Sequence, residues 1–120
     1  MKYMLLIYSN PAGWEALTEQ ERAALANEHD ALTRELVESG EWLAGAPLAD
    51  PVNTRTVRVR DGAAEVTDGP FVEAKEHLAG YDLVDCDSLD RAIEIASRIP
   101  GSRLVAVEVR PLMDEAGTEM

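Results

Sequence analysis

The segment Lys2-Tyr-Met-Leu-Leu-Ile-Tyr8 is apolar from end to end after its first residue, and it limits the fold more than any other feature. Its length, its two tyrosines and the stop at Ser9-Asn10-Pro11 predict a strand rather than a helix. Side chains alternate along a strand, so Tyr3, Leu5 and Ile7 share one face while Met4, Leu6 and Tyr8 share the other. Both faces therefore need cover. An apolar layer is needed on each side of this strand.

Thr18-Glu-Gln-Glu21 has the form of a capping box and predicts the start of a long helix. Leu25, His29, Leu32 and Leu36 follow at spacings of four, three and four, the stripe of one buried face, and Gly40 is placed to end the helix with positive φ. His29 is therefore expected to point inward. Residues 41–45 start a second strand, broken by Pro47 and Pro51, and residues 54–60 read as a third. Asp61-Gly62 is a two-residue hairpin turn of the type needing φ > 0 at both positions. It pairs Arg60 with Ala63, Arg58 with Glu65 and Val57 with Val66, which puts Val57, Val59, Ala64 and Val66 on one face. Residues 76–84 return as another strand, with Gly80 as a bulge or close-approach point. Ser88 caps a second helix whose apolar face is Leu89, Ala92, Ile93, Ala96 and Ile99, stopped by Pro100-Gly101. Residues 104–110 alternate as the last strand. The order is that of an α+β domain. Two helices cover only one face of its sheet, so a second copy packed sheet against sheet is the expected cover, and the chain is expected to be a homodimer.

A chain of 120 residues, 46% of them apolar and 28% charged, can bury a genuine core as one domain. That domain is expected over residues 1–112, with 113–120 as a flexible tail. The net charge of −12 opposes approach to phosphate backbones, so no direct nucleic-acid binding is expected. The apolar N-terminal run is too short for a signal peptide or a membrane span, and the single Cys86 cannot form an internal disulfide. Cytoplasmic residence without membrane association is the expectation. No zinc spacing, phosphate-cradling glycine loop or nucleophile elbow is present in the sequence, so neither a metal nor an organic cofactor is expected.

Turn residues, charges and aromatics are densest in Thr67-Asp-Gly-Pro-Phe-Val-Glu-Ala-Lys-Glu-His-Leu-Ala-Gly-Tyr81. Asp68-Gly69-Pro70-Phe71, then Glu73, Lys75-Glu76 and Leu78-Ala-Gly-Tyr81, with Arg110-Pro111 after the last strand, resembles the DGPF branch of the YCII-related family. The likeness runs over residues 2–112. It implies a ferredoxin-like α+β fold, an antiparallel sheet with two helices on one face, paired as a dimeric α/β barrel.

His29 is the first chemical candidate, because imidazole takes up and releases a proton near neutral pH. In a helical apolar stripe it is either a satisfied core or interface histidine or the base of a pocket. The resemblance implies the second, since YCII-related proteins place a histidine on the inner face of this first helix and pair it with an aspartate as the proposed catalytic element. That aspartate lies in an Asp-Pro-Tyr motif beyond the second helix, where this chain reads Arg98-Ile-Pro-Gly-Ser102. Asp68 is the expected substitute, with a competing role as the cap of its own Asp-Gly-Pro turn. Tyr8, Phe71 and Lys75 are expected to contact substrate, and His29 to share one cavity with the Asp68 turn. His77 reads either as a solvated neighbour or as a ligand. Two functions are in view. One is a cofactor-independent, lyase-like enzyme using a His/Asp pocket, in keeping with similar proteins that remove halide from an aromatic substrate. The other is a non-catalytic ligand-binding or accessory module associated with sigma-factor regulation, which the acidic surface would suit better than DNA.

Overall fold

The computed structural model of the protein describes every residue except 115 and 120. In chain order the elements are β1 (Lys2–Ser9), α1 (Pro11–Glu15), α2 (Glu19–Ser39), β2 (Trp42–Pro47), β3 (Arg55–Arg60), β4 (Ala63–Asp68), β5 (His77–Asp85), α3 (Leu89–Arg98), α4 (Gly101–Leu104) and β6 (Ala106–Pro111). Four strands form an antiparallel sheet in the order β2-β5-β1-β6, a ferredoxin-like α+β arrangement with β1 and β5 at its centre. The short helices α1 and α4 carry no strong periodicity and were not foreseen. Pro100-Gly101 does not simply stop α3 but leads into α4, so the last strand begins at Ala106 rather than at residue 104.

The helix layer lies on one face of this sheet. Tyr3 and Leu5 of β1 and Val84 of β5 are buried with Leu32 and Leu36 of α2 and Ala92, Ile95, Ala96 and Ile99 of the α3 region. On α3 the buried face includes Ile95, whereas Leu89 and Ile93, expected inside, are about half exposed at 47% and 49%. The alternate β1 residues Met4, Leu6 and Tyr8, on the other face, are only half-buried. The capping box of α2 forms as the sequence predicts: Glu21 N–H donates to Thr18 Oγ1 at 3.1 Å and Thr18 N–H to Glu21 Oε1 at 3.0 Å. Gly40 ends the helix at φ 80°. A bidentate pair, Arg91 Nε and Nη2 to Glu41 at 2.9 and 2.8 Å, ties the start of β2 to α3 and holds the Glu41 carboxyl down at about 2.

The β3–β4 hairpin stands apart as its own two-stranded sheet. Its register is the expected one, from Arg60 opposite Ala63 to Val57 opposite Val66, and both turn residues have positive φ, 50° at Asp61 and 77° at Gly62. Val57, Val59 and Val66 are 60%, 70% and 62% exposed, so the apolar face of the hairpin has no cover among the described residues.

A β-branched residue at the Gly62 φ is strained, so Gly62→Val should weaken the hairpin by about 1 kcal/mol or more. Amide hydrogen exchange should quicken along β3 and β4 while β1 and β5 stay unchanged. Unaltered exchange in the hairpin would show that the turn does not hold it.

Candidate functional site

Asp82 is the only buried charged residue among those described, 3% exposed. It sits in the middle of β5, and the pleat turns it with Gly80 and Val84 toward the helix layer. A carboxylate there needs a partner, because an isolated buried charge is costly. α2 supplies one. His29, on the stripe that also carries Leu32 and Leu36, brings Nε2 to 2.7 Å from Asp82 Oδ2. A carboxylate only accepts, so Nε2 carries a proton in either charge state, and in the neutral imidazole Nδ1 keeps its lone pair. Among the described residues Nδ1 has no hydrogen-bond partner. The bond to Asp82 is the largest influence on the imidazole and raises its pKa above the ordinary value, burial pulls it down, and the charges of Asp82 and Asp30 add to the rise.

His29 lines a cavity of about 420 Å³. The walls are mostly apolar, with Ile7, Trp14, Leu48, Pro100 and Leu104 prominent, and His77 joins His29 among the polar groups. α1 forms one side. It is capped by Asn10, whose Oδ1 accepts from Ala12 N–H at 3.0 Å, and is held to α2 by Arg22, which donates to the carbonyls of Trp14 and Glu15 at 3.1 Å each. A second cavity, also about 420 Å³, lies beside Trp42 and Gly45 and reaches both His29 and Asp82. The pair thus stands between two openings. No group of three or more His, Cys, Asp or Glu side chains suited to a metal ion occurs among the described residues.

The expected site is corrected in its acidic member. Asp68 is not the carboxylate that His29 meets: its side chain is 89% exposed and pairs with Arg55 Nε at 3.1 Å. The reason is topological. The β3–β4 ladder leaves the main sheet, so the end of that ladder is not the end of the sheet under α2. Phe71 is 72% exposed, with Arg58 5.7 Å from its ring centroid, and Lys75 is exposed; neither lines the His29 cavity. Of the turn at 68–71, Pro70 lines a separate cavity of about 380 Å³ that shares Leu48, Asp50 and His77 with the first. Tyr8 does line the His29 cavity, but the Glu108 carboxylate beside its phenol is what raises its pKa. Segment 98–102, where the resemblance would put an aspartate, leads into α4 and lends Pro100 and Gly101 to the cavity wall. Asp82 itself was missed by sequence reasoning. Its signal was there, a mid-strand charge in phase with Gly80 and Val84 and flanked by Tyr81 and Leu83.

The YCII-related domain matches residues 1–116. The chain belongs to this family. A curated relative, an uncharacterized protein of Rhizobium meliloti (strain 1021), is 34% identical over 114 residues, covering 93% of this chain and 92% of that one. Among solved structures, the 5-chloro-2-hydroxyhydroquinone dehydrochlorinase (TftG) of Burkholderia phenoliruptrix, in complex with 2,5-dihydroxybenzoquinone, superposes with a TM-score of 0.55 at 13% identity, over 99% of this chain and 100% of that one. At that identity the likeness speaks for the fold alone.

The His29–Asp82 bond sets a pH dependence. Raised in the folded state, the His29 pKa makes the pair's contribution to stability complete below about pH 6.5, the ordinary histidine value, and lost as pH rises through the raised value. Asp82→Asn should lower the His29 midpoint read by NMR titration, and its stability deficit should be larger at about pH 5.5 than at about pH 8.5. A deficit that grows with pH would contradict the assignment.

Proposed function

We propose that this YCII-related protein is a small-molecule enzyme of the lyase type, in which His29 is the general base and Asp82 holds and charges it. The observation that carries the reading is a half-buried imidazole held at 2.7 Å by the one buried carboxylate among the described residues, on the wall of a cavity large enough for a ring-sized ligand. In the step proposed, His29 Nδ1 takes a proton from an acidic O–H or C–H of the bound molecule. The electron pair left behind expels a leaving group such as halide from the same molecule. The imidazolium so formed is stabilised by Asp82 and then releases its proton to water. No redox equivalent is consumed. Apolar walls with few polar groups suit a flat hydroxylated ring, and the dehydrochlorinase of similar fold, with its bound quinone, favours that class. The comparisons lend no support to a sigma-factor accessory role.

The test is halide release from a panel of halogenated hydroxyaromatics. His29→Gln should lower kcat/KM by about 10²- to 10⁴-fold, the range of general base catalysis, and wild-type activity should rise with pH through the His29 titration. Equal turnover by both proteins would remove His29 from the chemistry, and no turnover across the panel would leave ligand binding as the better reading.

The second copy belongs to the same proposal. The sheet face opposite the helices carries Met4 and Leu6, only half-buried, and the hairpin displays Val57, Val59 and Val66 uncovered. A homodimer packed through the open sheet faces would cover them. Sedimentation at micromolar concentration should then give twice 13.1 kDa, and Leu6→Lys should give 13.1 kDa; a wild-type monomer would end this part of the proposal.

A further inference from the structure

The carboxylate of Asp82 owes its orientation to a neighbour without a side chain. Gly45 of β2 stands directly opposite Asp82 in the β2–β5 ladder. A Cβ built on Gly45 would lie 2.5 Å from Asp82 Oδ1, 2.5 Å from Trp42 Cη2 and 2.9 Å from the backbone oxygen of Tyr81. All three are closer than a Cβ can stand. Gly45 is not among the glycines with positive φ, which are Gly40, Gly62, Gly69 and Gly117. Its requirement is for space rather than for backbone conformation.

We propose that Gly45 is the positioning residue of the site: its bare Cα is the seat against which Asp82 Oδ1 rests, so that Oδ2 is turned to His29. The inference rests on reading His29 and Asp82 as the working pair. Oδ2 is taken by His29 and Oδ1 has no protein donor among the described residues, so packing must set the rotation of the carboxylate where hydrogen bonds do not. Trp42 closes the same seat from the side, and the Tyr81 carbonyl belongs to the ladder and cannot retreat without breaking the strand pairing. A methyl group at position 45 would therefore displace the mobile members, Asp82 and Trp42, and draw Oδ2 off the imidazole.

Asp30, from its own helix, also acts on His29, and Glu15 of α1, Tyr8 of β1, Asp50 after β2 and His77 of β5 line the first cavity with it. None of these meets the added Cβ. The experiment is an NMR titration of His29 in wild type, Gly45→Ala and Asp82→Asn, each first checked for native circular dichroism. Gly45→Ala should fall from the raised wild-type midpoint to that of Asp82→Asn. A folded Gly45→Ala that keeps the wild-type midpoint overturns the proposal. If Gly45→Ala does not fold, Gly45→Ala/Asp82→Ala decides: restored folding, with the carboxylate conflict gone, supports the seat, and continued failure assigns the glycine to Trp42 and Tyr81 and overturns it. The titration reads geometry without turnover, so it stands or falls separately from the lyase reading.

Discussion

The bond between His29 and Asp82 is the constraint on which much of the molecule depends. A carboxylate buried in a sheet must be met by a partner, since removing one member of such a pair costs several kcal/mol. That partner has to arrive from the helix layer at the right height and rotation. One residue of slippage in α2 would turn His29 by about 100° around the helix axis and off its target. The capping box at Thr18 and the positive φ of Gly40 fix both ends of that helix, and Leu32 and Leu36, both buried, fix its rotation. Local stop signals at the helix ends therefore position chemistry in its middle.

The same sheet is unevenly covered, and this unevenness organises the rest. Residues that alternate along β1 meet a packed helix layer on one side and partial exposure on the other. The β3–β4 hairpin does not relieve the shortage, because it pairs only with itself. Edge strands β2 and β6 are left to frame the site and the far side of the sheet. Beside the β2 edge the second cavity reaches both members of the pair. Burial strong enough to make Asp82 depend on His29 thus sits beside openings wide enough for solvent or ligand to reach the imidazole.

Part of the wall of the cavity beside α1 comes from segments with little regular structure of their own. α1 is five residues long and α4 four. Helices this short are not stable by propensity. Here they are held by tertiary contacts, α1 by the Arg22 guanidinium and α4 by close packing of Gly101 on Ile7, where an added Cβ would come within 2.8 Å of Ile7 Cγ2. A binding surface assembled from tethered short segments can vary in shape while the sheet beneath it stays the same.

Much of the fold is determined by the sequence alone, wherever the cause is local. Periodicity gives the α2 stripe, the Thr18 box and Gly40 give its limits, and Asp61-Gly62 gives the hairpin register, because each depends on residues a few positions apart. His29 was legible as an inward imidazole for the same reason. Its partner was not. The turn at Asp68 looked like the acidic member because it is conspicuous in sequence, yet the hairpin carries it to an exposed pair with Arg55. Asp82, a mid-strand charge between Tyr81 and Leu83, gained its meaning only when strand order placed β5 beside β1 beneath α2, and only the β2–β5 register set a bare Gly45 against it. Residues 53 positions apart meet here through sheet topology, a long-range arrangement that local patterns do not encode.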